Sequence, residues 1–203
     1  MVVEAVVLVT ALLLAVLRSL PGPVFFPIRA LTVVYVDFFR GVPTILVILM
    51  LGQGIPALQL SWLPTDQIFW ASVALVLVYT AYVSEVYRAG IDSVHPSQEA
   101  AARSLGLGRF AALRYVVLPQ AFRRVIPPLL NDFIGLQKDT ALVALLGVVE
   151  AFRQSQIDSS ATFNYTPYIC TAILFLAITV PLTRFTDWLI ARDRKRLLAG
   201  GMR

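Results

Sequence analysis

The residues best placed to do chemistry in this 203-residue chain are polar groups lodged among apolar ones. Between about Val125 and Val149, Asn131, Asp132, Lys138 and Asp139 interrupt an apolar segment, with Thr140 directly after them. Asn131 and Lys138 are seven residues apart, as are Asp132 and Asp139. That is close to two helical turns, so each pair shares a face. Gly135 between them permits close approach of a neighbouring helix or ligand. A charge at the centre of a membrane span costs about 2.5–3.5 kcal/mol on insertion scales, so it faces a cavity or a partner. Three readings fit. These residues line a path for a zwitterionic or charged solute; or Lys138 pairs with a carboxylate on a neighbouring helix and holds a bundle together; or the segment ends near Leu136 and leaves Lys138-Asp139 hydrated at an interface.

Other candidate groups point to less. Glu85 and Arg88 form an i,i+3 pair, a local arrangement that reads as structural or gating. His95 precedes Pro96 with no cysteine or second histidine near it, which argues against a metal site. The lone Cys170 sits in an apolar run and reads as a small packing residue. No GxxxxGK[ST] segment occurs, so the chain has no phosphate loop of its own for ATP.

The elements that must position these groups are membrane elements. The chain is 58% hydrophobic and 14% charged, with a mean hydropathy of +0.77, and its apolar residues gather into long runs. The net charge of +5 lies in short loops and a tail rather than on one basic face, which argues against nucleic acid. Five spans are predicted. The first is Val2 to Leu17, closed by Arg18 and Pro21-Gly22-Pro23; its outer end is missing and it makes a poor signal peptide. Phe25 to Arg40 is expected to lie partly along the membrane surface. The second span follows from about Val42 to Leu58, with Pro43 in its first turn. The third runs from about Ile68 to Tyr87, the fourth from Val125 to Val149, and the fifth from about Tyr168 to Ile190, before a basic tail over about 191–203. Five spans put fifteen of the seventeen Lys and Arg residues on one side, leaving Arg153 opposite and Lys138 within a span. The positive-inside rule makes the rich side cytoplasmic, with the amino terminus outside.

That topology places the polar stretch of about 97–119 in the cytoplasm. Pro96-Ser97 ahead of Gln98 and Glu99 reads as a helix start, with Ser97 as cap and Glu99 near the positive end of the dipole. Ala100, Ala101 and Ala102 favour a helix with almost no bulk. Gly106 and Gly108 can take left-handed dihedrals and end it. Phe110, Leu113 and Val117 are expected on one face of the next helix, and Leu118-Pro119 is expected to break or kink the chain. On residue types alone the stretch is either a docking element or a loop that tethers two spans.

The spacing resembles the EAA loop of bacterial ABC importer permeases, EAA-x3-G-x9-I-x-LP. Gly106, Val116 and Leu118-Pro119 keep its second half in register, and Ala100 occupies the position of the family's glutamate, with Glu99 one residue earlier. Further segments are similar to the polar amino acid uptake subfamily: Phe39-Arg40-Gly41-Val42-Pro43-Thr44, Ser84-Glu85-Val86-Tyr87-Arg88-Ala89-Gly90-Ile91, Leu118-Pro119-Gln120-Ala121 and Lys138-Asp139-Thr140-Ala141-Leu142. The resemblance implies an all-α membrane protein, a type I permease of five transmembrane helices in one domain over 1–203; family members usually carry further residues ahead of the position of Met1, including the outer end of the first span. It implies that Glu99, Ala100, Ala101, Ala102, Gly106, Leu118 and Pro119 belong to a coupling helix and its exit, docked on a separate ATPase that binds ATP and magnesium. It implies no catalytic chemistry and no cofactor in this chain. The implied partners are ABC ATPase subunits, an extracytoplasmic solute-binding protein, a second permease subunit in a homo- or heterodimer, and the lipid bilayer. An ion-gradient transporter or channel, with the polar groups of the fourth span as relay, and a non-transporting scaffold are the rival readings.

Overall fold

The computed structural model describes residues 1–20 and 22–200, apart from the side chains of residues 194 and 196–200. Pro21 and the end of the basic tail, Arg203 included, lie outside the described residues. The described residues form helices and turns, with no strand among them.

The fold is built around α5, Gln67–Asp92, with α1, α2, α3 and α8 packed against it. The Asp66 carboxylate starts α5 by accepting from the backbone N–H groups of Ile68 at 3.0 Å and Phe69 at 3.3 Å. The helix buries Ala71, Ala74, Leu75, Val78, Ala81 and Val83, an apolar surface covering more than one face, as its central position requires. Helix α1, Val2–Arg18, buries Val7, Ala11 and Ala15, an i,i+4 stripe turned toward α5. Thr10 Oγ1 lies 2.7 Å from Thr80 Oγ1, and Tyr35 Oη of α2 donates to the Leu77 carbonyl at 2.7 Å, so polar contacts as well as packing tie α1 and α2 to α5.

Helix α2, Phe26–Gly41, meets the helical segment Thr44–Ala57, which opens with α3, Thr44–Leu49, at 101°. Val42 is held extended (φ −89°, ψ 131°) because it precedes Pro43. Pro43 therefore caps α3 instead of opening the first turn of a span at Val42. A π-helical turn, Met50–Gly54, and the short α4, Ile55–Ala57, continue α3. Gly52 of that turn lies against Leu146, where no Cβ would fit without displacing it.

Beyond α5 come α6, Pro96–Ser104; α7, Arg109–Ala112; a second π-helical turn, Leu113–Val117; and α8, Leu118–Asp139. A 3-10 helix, Thr140–Leu146, ends at Gly147, whose φ of +82° only glycine adopts readily. Helix α9, Ala151–Thr162, is capped by the Glu150 carboxylate, and α10, Thr166–Gly200, leaves most of its apolar residues exposed. Cys170 is exposed as well, contrary to the packing role expected for it.

Two helices among the described residues, α5 and the Thr166–Asp193 part of α10, are long and apolar enough to cross a membrane. The bent pair α2 with α3–α4 makes a third if taken as one span. The expected five is not reached by length and composition. Helix α1 has 17 residues, fewer than the roughly 20 that a bilayer core requires. The fourth segment divides between α8, with Pro127 and Pro128 inside it, and the 3-10 helix.

Candidate functional site

The polar stretch between α5 and α8 folds into a short projecting helix with closed ends. His95, not Ser97, caps α6: it is held extended ahead of Pro96, and its Nδ1 accepts from the Ser97 N–H at 3.2 Å. Ser97 falls inside the first turn. Ala102 is turned inward and buried, whereas Ala100, Ala101 and Arg103 are exposed and Glu99 is half-buried. The helix ends in a complete Schellman motif. The Gly106 N–H donates to the Arg103 carbonyl at 3.0 Å and the Leu107 N–H to the Ala102 carbonyl at 3.2 Å, with Gly106 at φ +88°. Gly108 does not share that role: at φ −64° and ψ 159° it is extended and serves as the cap of α7.

The exit also differs from expectation. The chain stays helical through Leu118-Pro119, because the π-helical turn Leu113–Val117 precedes the proline and Pro119 occupies the first turn of α8. A wider turn carries its hydrogen bonds one residue further along and makes room for the ring. The same turn shifts the helical phase. Val117 is buried with Val94 and Ala121, while Phe110 and Leu113 are exposed, so the three do not share one buried face. Leu105, Phe110 and Tyr115 protrude around α6, at 86%, 73% and 68% exposure. The loop is fastened to its neighbours by Arg124, which donates to the Ser93 carbonyl, and by Gln120 Nε2, which donates to Gln98 Oε1 at 3.5 Å. The arrangement is a small-faced knob with the apolar side chains of Leu105, Phe110 and Tyr115 exposed around it.

In α8 the seven-residue pairing holds. Asn131 and Lys138 are both exposed, and Asp132 and Asp139 are both half-buried toward α5. Tyr79 Oη donates to Asp139 Oδ2 at 3.0 Å; Gly135 makes room for it, since a Cβ there would lie 3.1 Å from that hydroxyl. Asp132 Oδ2 and Gln137 Oε1 are buried without a hydrogen-bond partner among the described residues. Thr140 Oγ1 is occupied locally, donating to the Gln137 carbonyl at 2.6 Å. Lys138 makes no ion pair among the described residues. The helix thus carries an amide and an ammonium on its open face and two carboxylates on the face toward α5.

A third cluster was not foreseen. Glu85 receives Arg18 from the end of α1, Arg88 at 2.8 Å from its own helix, and Arg40 from the end of α2 at 3.9 Å. Arg88 also pairs with Asp92 at 2.8 Å. The local Glu85–Arg88 pair is visible in the sequence. The convergence of the other two arginines is not, although each ends an apolar segment, which was the available signal.

Residues 23–195 match the family described as binding-protein-dependent transport system inner membrane component. The chain is 35% identical to the probable amino-acid permease protein YxeN of Bacillus subtilis (strain 168), over 85% of this chain and 76% of that protein. It is 33% identical to the probable amino-acid ABC transporter permease protein PatM of Vibrio harveyi, over 93% of this chain and 83% of the other. Among solved structures, it superposes on the crystal structure of an amino acid ABC transporter with histidines at a TM-score of 0.82 and 31% identity, covering 94% of this chain and 86% of that one.

Proposed function

The chain belongs to the family of binding-protein-dependent transport system inner membrane components, and on that premise we propose that it is the permease subunit of an ATP-driven importer of polar amino acids in a bacterial inner membrane. The observation that carries this reading is the form of α6: two exposed alanines on a helix closed by Gly106, at the Arg-rich ends of the membrane helices. A surface of that kind admits a second protein to close range, and Leu105 and Phe110 beside it offer apolar anchors. In this role Ala100, Ala101 and Ala102 give the docking helix its slight bulk, Gly106 its closure, and Leu118 and Pro119 the start of the connection into α8. Glu99 pairs with a cation of the docked subunit.

The docked subunit is an ATPase that binds ATP and magnesium; this chain performs no covalent step. A second permease subunit completes the translocation path, and a solute-binding protein delivers the amino acid from outside. Asn131, Asp132, Lys138, Asp139 and Thr140 face or border that path. The Arg-rich ends lie in the cytoplasm, so the amino terminus is outside, and residues 1–203 act as a single transmembrane domain. Movement follows from ATPase closure, which displaces α6 and rocks the bundle between two openings.

The test is reconstitution of the chain with a candidate ATPase and binding protein, followed by Ala101→Trp. Because Ala101 is exposed and Ala102 is buried, the indole blocks docking without entering the core. Solute-stimulated ATP hydrolysis and uptake are expected to fall at least tenfold with the fold intact. Undiminished coupling in the variant, or full uptake with no ATPase present, overturns the proposal; the second result favours an ion-gradient carrier.

A further inference from the structure

We propose that the cavity between α8 and α10 at their Arg-rich ends holds the phosphate headgroup of an anionic glycerophospholipid from the adjacent leaflet. The cavity has a volume of about 360 Å³. Arg123, Ile126 and Pro127 of α8 and Leu189, Arg192 and Asp193 of α10 line it. Two guanidiniums against one carboxylate leave it net positive, and neither Arg123 nor Arg192 forms an ion pair among the described residues. A guanidinium fork matches phosphate oxygens in geometry as well as charge.

The surroundings fit a lipid better than a soluble anion. Ile126, Pro127 and Leu189 give the cavity an apolar wall beside its cations. Back along α10 toward the membrane, Phe185, Ile178 and Leu174 are exposed at spacings that put them on one helical face, where an acyl chain can lie. The Arg192 guanidinium lies 5.2 Å from the ring centre of Trp188, which stacks on Phe185 at 5.9 Å. An aromatic pair at that point marks the headgroup level, and the cation–π contact helps to hold Arg192 in place. Pro127 has no N–H, so the Arg123 carbonyl lacks its usual helical donor and can accept from a headgroup hydroxyl. Basic pockets between membrane helices on the cation-rich side are suited to anionic headgroups on general grounds.

The test uses the full chain in nanodiscs of equal phosphatidylglycerol and phosphatidylcholine, released into mild detergent, with bound lipid counted by native mass spectrometry. Phosphatidylglycerol is expected to be retained over phosphatidylcholine. Arg123→Gln with Arg192→Gln should lower its retention at least fivefold and leave phosphatidylcholine unchanged. Each single substitution should give an intermediate loss, so the result does not hang on how well the double variant folds. Arg123→Lys with Arg192→Lys should keep most of the retention. Undiminished retention in the glutamine variants overturns the proposal, as does an equal loss with Arg109→Gln, which lies outside the cavity. Displacement of the lipid by millimolar inorganic phosphate also overturns it, by assigning the cavity to a free anion.

Discussion

Glu85 shows how one side chain can hold several elements. Its side chain is only 16% exposed; the carboxylate accepts from Arg18 of α1 and Arg88 of α5 and forms a longer ion pair with Arg40 of α2, all at the same end of the bundle. Removing its charge leaves Arg18 and Arg40 without a counter-charge among the described residues, while Arg88 keeps Asp92. Glu85→Gln is therefore expected to destabilise the protein by about 2 kcal/mol, read as a lower thermal midpoint in detergent. Loss should be smaller for Arg40→Gln, because that contact is the longest of the three. An unchanged midpoint in Glu85→Gln would mean that the arginines are held by solvent alone. Only the i,i+3 part of this cluster was legible in the sequence, since spacing reports neighbours along one helix and says nothing of which distant helix end arrives beside it. The same limit applies to Tyr79 and Asp139, sixty residues apart. The partition of α8 into an Asn131–Lys138 face and an Asp132–Asp139 face was legible, because it depends on helical period alone.

The elements differ in how openly the sequence announces them. Gly106 declares the end of α6, as its left-handed dihedral requires. His95 does not declare the start: it is not a usual capping residue, and Pro96 forces the extended geometry that lets it act as one. The π-helical turns leave no compositional mark, so the phase of Phe110 and Val117 and the continuity through Pro119, both set by the second of them, are not legible in the sequence. Pro43 was visible as a punctuation point, but its effect falls on Val42 before it, and that sets the 101° bend. Helix contact is readable again at Gly90, where α5 meets α8: a Cβ would overlap Val125 Cγ2 and lie 3.5 Å from the Ala121 carbonyl oxygen. Gly90→Ala should cost about 1–3 kcal/mol by overpacking. Adding Val125→Ala should recover part of it, with a coupling of roughly 1 kcal/mol in the double-mutant cycle. Strict additivity would show that the helices separate there without resistance.

At the scale of the whole molecule, the chain carries its own reporter of direction in the membrane. Cys170 is its single cysteine. It is exposed near the start of α10, on a cavity of about 640 Å³ that it shares with Asp158 and Asn164. With the Arg-rich ends inside, a membrane-impermeant maleimide should label Cys170 in intact cells. In a Cys170→Ala, Ala101→Cys variant it should label only inverted vesicles. The reverse pattern would invert the orientation. One last consequence belongs to the path from Arg109 to Asp139, which passes from α7 through a π-helical turn into α8 without a loop. At 1.5 Å per residue that path is roughly 45 Å long, with one end beside the alanine knob and the other bearing Asp132 and Lys138. It is a pushrod. A tilt imposed at its knob end would reach the polar face with no loop to absorb it, the π-helical turn and Pro127-Pro128 being points at which the path can flex. On that reading the stroke depends on the stiffness of one continuous helical path.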